Sequence, residues 1–191
     1  MKISRFESIL LAVVAALILV QAPGLAQSDN PIYGGKLVVA LPTEPPGLDP
    51  TTRTAAVIDR VLYNNVYQGL VRINRSGEVV PALAKNWKIS EDGTVYTFDL
   101  RQDVTFHNGS KFTAADVVYS LTRVMSDEIT VPHPEYFAPI ANLDAPSDYT
   151  VKVTLSRPSS SFLFNLARGD SVILPRGAEN LSTHPVGTGP F

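Results

Sequence analysis

Cysteine is absent from this sequence, which excludes a disulfide framework, a thiolate metal site and a cysteine nucleophile. Histidine is nearly as scarce. His107, His133 and His184 are the whole supply, and none of them shows the i, i+4 or HExxH spacing that sets two imidazoles on one helix face, so no metal site is expected. An excess of positive charge is lacking as well: 16 basic side chains stand against 18 acidic ones. A chain so balanced has no basic patch for neutralising phosphates, so nucleic acid is not an expected partner. No phosphate-loop motif is complete, and no cofactor is expected. What is present is a globular composition, 45% hydrophobic and 18% charged over 191 residues. That amounts to one ordinary domain or one lobe, and it argues against a disordered tail.

A long apolar run occurs once. Lys2 and Arg5 precede Ile9 to Val20, an uninterrupted run of 12 apolar residues, and Gln21 to Ala26 is a small, turn-prone stretch, the order of a signal peptide. As a helix the run spans about 18 Å against ~30 Å of bilayer hydrocarbon, so a permanent anchor fits less well. Cleavage is expected after Ala26, because a cut after Ala22 would place Pro23 directly behind the scissile bond. With no cysteine to follow the run, lipid attachment there is excluded, and a soluble periplasmic product is expected.

Behind the signal segment, residues 27–35 read as a flexible leader. Lys36 to Leu41 is nearly continuously apolar, as in a strand buried on both faces, and Pro42 stops it before the rigid, proline-rich loop TEPPGLDP. Apolar spacing predicts a helix over Thr54 to Gln68, ended by Gly69. Two hairpins follow, one turning at Asn74 to Gly77 and one at Ser90 to Gly93, the second with Tyr96, Phe98 and Leu100 on a single face. Thr113 and Asp116 form a capping-box pattern ahead of a helix to Met125 whose buried face holds Val117, Val118, Leu121, Val124 and Met125. A further strand is expected over Thr150 to Leu155, then a short helical run over Ser159 to Ala167. Leu174 to Phe191 has no period.

Several residues invite a chemical reading, and each has a plainer alternative. His107, in a Phe-His-Asn-Gly turn, is better explained by local packing or hydrogen bonding than by metal or base chemistry. The Ser159-Ser160-Ser161 run lacks a GxSxG elbow and is the kind of hydroxyl run that caps a short helix. Glu44 and Asp49 flank a Pro-Gly turn, where Asp49 before Pro50 is a turn former. Trp87, Tyr96 and Phe98 have a sugar-stacking reading, but their alternation on hairpin strands favours the core. Gly187-Thr188-Gly189 has no GK[ST] behind it and reads as backbone flexibility.

Five segments in a fixed order carry a resemblance: EPPGLDP at Glu44 to Pro50, VYQGLVRI at Val66 to Ile73, PALAKNW at Pro81 to Trp87, the block from Ser90 to Arg123, and PVGTGPF at Pro185 to Phe191. Together they resemble the periplasmic solute-binding proteins of ABC transporters that take peptides, nickel or oligosaccharides, the dipeptide and oligopeptide binders in particular. The resemblance implies an α/β fold of the type II periplasmic-binding-protein clamshell. Of that fold this chain would supply the start of the first lobe (36–50), the family's extra α+β subdomain (51–184) and the crossing back to the first lobe (185–191), with the second lobe absent. It further implies a binding protein and not an enzyme, with a peptide as solute and ABC permease subunits as partners. A nickel or opine-type solute in the same family, or a secreted hydrolase, are the alternatives. Thr51 to Ala56 resembles the family's cleft-facing segment, so Thr54, Ala55 and Ala56 are the implied ligand contacts, and Tyr136 resembles a cleft-edge aromatic of the oligopeptide binders.

Overall fold

The structure, a computed structural model, describes residues 34, 36, 38–53 and 55–191. The chain falls into two compact units, Met1–Ala40 and Leu41–Phe191. The signal segment and its cleavage site lie outside the described residues, as does all of the leader except Gly34. In the first unit, Lys36 and Val38 to Ala40 have no regular structure, and Leu41 has none at the start of the second. Of the strand expected over Lys36 to Leu41, the described residues Lys36 and Val38 to Leu41 are in no strand, and Leu37 lies outside the described residues.

The second unit is built on a sheet whose strands follow the period-2 rule. In order along the chain come α1 (Ala56–Leu62), β1 (Val71–Ile73), β2 (Val79–Pro81), β3 (Ala84–Ile89), β4 (Val95–Leu100), α2 (Ala114–Met125), β5 (Ile140–Ser147), β6 (Thr150–Leu155) and α3 (Phe162–Asn165). β1 and β2 form the first expected hairpin, and the other four strands form an antiparallel sheet in the order β3-β4-β6-β5. Register pairs Phe98 with Trp87 on one side and Val151 on the other, and Tyr96 with Ile89 and Val153. Because side chains alternate across a strand, this register gathers Tyr96, Phe98, Leu100, Val151, Val153 and Leu155 on one buried face. The aromatic set is thus core, with Trp87 partly buried against it. Gly93, at φ +69°, supplies the left-handed turn residue that closes the β3–β4 ribbon.

α2 covers the sheet on the β5 and β6 side. Its capping box closes as the sequence predicts: the Thr113 N–H and hydroxyl both donate to Asp116 Oδ2 at 2.9 Å. Val117, Leu121 and Val124 are buried, whereas Val118, expected on the same face, is half-buried and Met125 is 38% exposed at the last turn. α1 is half its expected length. Tyr63 is already extended and Asn64 adopts φ +62°, so the helix ends before Val66 despite the continuing apolar spacing. Gly69 ends no helix. It lies where a Cβ would sit 3.1 Å from both the Leu166 and the Val71 carbonyl oxygens. α3 is a single turn whose N-cap, Ser161, makes no capping hydrogen bond, so the serine run does not cap it as expected.

A smaller core joins α1 to the later loops through Ile58, Leu62, Tyr67, Val172, Leu174 and Leu181. Around it the backbone is stitched by long-range bonds: Leu48 N–H to Ser182 O at 2.9 Å, Ile173 N–H to Gln68 O at 2.9 Å, and Gly189 N–H to Val66 O at 2.9 Å. The GTG segment is accordingly not flexible in the sense expected. Any Cβ at Gly187 or Gly189 would collide with the backbone of Val66 or Asn65, so glycine is needed there for close approach.

Candidate functional site

The proline-rich loop is fixed from below by a buried ion pair. Asp49 is 5% exposed; it accepts the Thr51 N–H at 3.0 Å and the Thr51 hydroxyl at 2.6 Å on Oδ1, and Arg123 Nη2 of α2 at 2.9 Å on Oδ2. Arg123 also donates to the Thr51 hydroxyl. Asp49 is therefore a turn former, as the sequence suggests, and also an anchor to a helix residue 74 positions away. Thr51, buried outright, belongs to that anchor.

Above the anchor the loop opens into a small polar cavity of about 50 Å³, lined by Pro50, Arg53, Asp59, Pro132, His133, Arg168, Gly169 and Asp170. Tyr136 stands beside it. Its ring stacks on His133 with centroids 4.7 Å apart, and the Arg168 guanidinium carbon lies 4.8 Å from the Tyr136 centroid, a cation–π contact. Asp59 reaches in from α1 and rests on Gly169, where a Cβ would collide with its carboxylate. Burial pushes the Asp59 and Asp170 carboxyls above the ordinary carboxylate value, and the Arg168 charge opposes the shift in both. Arg168 Nε and Asp170 Oδ1 are 3.8 Å apart, too far for a hydrogen bond, and each is buried without a partner.

Of the described residues implied as ligand contacts, none lines this cavity; Tyr136 stands beside it, against His133 and Arg168. Ala55 is half-buried, caps α1 and packs on the smaller core, while Ala56 is exposed beside it on the first turn. Thr54 lies outside the described residues. Sequence reading missed Asp59, Arg168 and Asp170. The signal was there, an Arg-Gly-Asp break between two apolar runs, but nothing local linked it to α1, roughly a hundred positions earlier. His107 is tied to the last segment and not to its own turn: its N–H donates to Gly187 O at 2.9 Å, Nδ1 accepts the Gly187 N–H at 3.3 Å, and Nε2 meets Gly189 O at 2.9 Å.

Wider hollows lie elsewhere among the described residues, the two largest of about 460 and 530 Å³ and two more of about 220 and 280 Å³. The first, between the end of α2 and the Pro134–Ile140 stretch, holds Asp127 as its one ionisable side chain. In the second, Arg101 pairs with Asp103 at 2.8 Å and His107 is committed to glycine backbone, whereas the smaller cavity holds the unpartnered Arg168 Nε and Asp170 Oδ1.

Comparison with known proteins places this mixed α/β unit among the solute-binding folds. The family profile of the bacterial extracellular solute-binding proteins, family 5 middle region, matches residues 78–191. The chain belongs to that family. It is 33% identical over 172 residues to the glutathione-binding protein GsiB of Pectobacterium atrosepticum, covering 87% of this chain and 33% of that protein. Among solved structures it resembles the PBP AgaA from A. tumefacien R10 in complex with agropinic acid (35% identity, TM-score 0.72, 78% of this chain and 31% of that one). It also resembles the periplasmic binding protein DppA of Helicobacter pylori in complex with the peptide STSA (32% identity, TM-score 0.67, 76% and 34%). The chain spans about a third of the length of the relatives it matches.

Proposed function

We propose that this chain is the leading part of the solute-binding component of an ABC importer, exported to the periplasm with cleavage after Ala26, and that it takes up peptides without catalysing a reaction on them. The observation that carries the reading is the meeting of the anchored Pro50–Arg53 loop, Tyr136 and the Asp59–Arg168–Asp170 cluster around one open cavity. A rigid loop held by Asp49 and Arg123 presents main chain to an extended ligand, the mode in which peptide backbones are bound without reading their side chains. In this reading Ala55 and Ala56 keep the approach free of bulk, and Tyr136 borders it. Residues 36–50 and 185–191 then belong to the first lobe and 51–184 to its added subdomain. A second lobe closes over the solute, and the closed form docks on the permease.

Peptide is favoured because DppA carries the peptide STSA in its solved complex and glutathione gives GsiB its name. An opine-like solute is the second reading, supported by agropinic acid in the AgaA structure. Calorimetric titration tests both: residues 27–191 and the complete protein without its signal segment are each titrated with dipeptides, glutathione and agropinic acid. The complete protein is expected to bind a peptide, and the chain alone at least ~100-fold more weakly, a loss of about 2.7 kcal/mol, because half of a closing site leaves the solute in water. Tight binding of agropinic acid alone would decide for the second reading, and full-strength peptide binding by the chain alone would overturn the two-lobe account.

A further inference from the structure

Residues 185–191 are held from two sides. On one side the Gly189 N–H donates to Val66 O at 2.9 Å and the Thr188 hydroxyl to Gln68 Oε1 at 3.0 Å. On the other stands His107 alone: its N–H donates to Gly187 O at 2.9 Å, its Nδ1 accepts the Gly187 N–H at 3.3 Å, and its Nε2 lies 2.9 Å from Gly189 O. A neutral imidazole has one N–H and one bare nitrogen. The Gly187 N–H takes the bare one, so Nδ1 is unprotonated and Nε2 carries the hydrogen that Gly189 O accepts.

That pair of contacts fits a single charge state. An imidazolium donates from both nitrogens and accepts at neither, so a proton on Nδ1 would point at the Gly187 N–H, donor against donor. The ring must then swing away, and the same swing takes Nε2 off Gly189 O. His107 is exposed at the lip of the hollow of about 530 Å³, so solvent protons reach it without any opening of the fold. None of the charged or titratable groups facing it is a second imidazole. On its own loop Arg101 and Asp103 pair at 2.8 Å, and their hydrogen bond raises the Arg101 pKa and lowers that of Asp103; Lys111 stands across the turn, bridged to Thr105. From the Val66–Gln68 stretch comes Tyr67, whose hydroxyl pKa is pushed up by burial, and residues 185–191 carry no ionisable side chain. His184, just ahead of them, turns to the Thr183 hydroxyl at 2.9 Å.

We propose that His107 is a pH-operated latch on residues 185–191. Neutral, its ring clamps the backbone of Gly187 and Gly189; protonated, it lets that backbone go. The inference stands on the geometry of the clamp and holds whether or not the chain binds a solute. Its consequence rests on the function proposed above: where 185–191 crosses back to the first lobe, acid loosens the hold of the added subdomain on that crossing and leaves the four-stranded sheet intact.

The complete protein without its signal segment, isotope-labelled at histidine and glycine, is followed by NMR at about pH 8 and about pH 5, the range in which an ordinary imidazole gains its second proton. The His107 ring should show a bare Nδ1 at the upper pH. Exchange of the Gly187 amide with water, divided by its intrinsic rate at each pH, should rise at least ~10-fold on acidification, as loss of its acceptor requires. The Gly93 amide, which donates to Ser90 O at 2.9 Å in the β3–β4 turn, should not respond. His107→Gln keeps a side-chain donor and cannot take up a proton in this range, so it should remove the response, while His184→Gln should keep it. A bare Nε2 at the upper pH, equal protection of Gly187 at both pH values, an equal response at Gly93, or a response that survives His107→Gln or disappears in His184→Gln would overturn the latch.

Discussion

Phe98 and Asp170 are both buried, but they reach burial in different ways. Phe98, at 0% exposure, is enclosed by residues that its own strand and the next two bring to it through alternation alone: Tyr96, Val151 and Trp87. Asp170 is enclosed by α1, by the loop before it and by the Pro132–Tyr136 turn, segments that no local pattern connects. The sheet and α2 form a region in which hydrophobic periodicity decides the structure. The loops around the small cavity form a region in which single hydrogen bonds, one buried ion pair and two glycines decide it. The proposed solute contacts lie in the second region, where Arg168 Nε and Asp170 Oδ1 are buried without a partner.

If that division is right, the two regions should fail differently. The largest loss is expected from Leu121→Ala on the buried face of α2. It removes a side chain that is 1% exposed from a packed core, at a cost of roughly 4 kcal/mol, measured by chemical denaturation. The cavity region should be barely altered in the fraction that remains folded. Gly187→Ala should cost less, about 2 kcal/mol, since the loop must give way where the new Cβ meets the Val66 carbonyl. Its signature is local: the contacts of His107 with Gly187 and Gly189 open, and amide exchange speeds up in 185–191 ahead of the sheet. Uniform loosening of the sheet by Gly187→Ala would show that the two regions are one cooperative unit.

The smallest effect concerns charge. Burial raises the Asp170 pKa above its ordinary 3.8, with Arg168 pulling the other way. A carboxyl raised on folding favours the folded state fully while both states are protonated. That contribution is lost as pH climbs from 3.8 through the folded value. Asp170→Asn cannot ionise. It should match the parent's stability below the ordinary carboxylate range and gain on it as pH rises above that range. Denaturation curves at a series of pH values check this, and a variant that loses ground with rising pH would mean that the Arg168 attraction outweighs the burial.

The same division explains what could be read in advance. β3, β4, β6 and α2 were legible because alternation, a capping box and two Gly-closed turns each state their own structure. β5 was not. Ala-Asn-Leu-Asp-Ala-Pro-Ser does not alternate cleanly, and the strand is an edge with two register irregularities, held by β6 on one side only. The length of α1 was misread because apolar spacing runs on through Val66 while Asn64 turns the chain away. Family resemblance pointed to Tyr136 and to the loop after Asp49, whereas Asp59, Arg168 and Asp170 become neighbours only after the smaller core has folded.

The most direct measurement is amide hydrogen exchange on the complete protein with and without a saturating peptide. Solute binding at this cavity predicts slowed exchange in residues 50–59, 133–136 and 168–170, with β3, β4, β5 and β6 unchanged. Protection confined to the four-stranded sheet, or none within residues 41–191, would contradict the account.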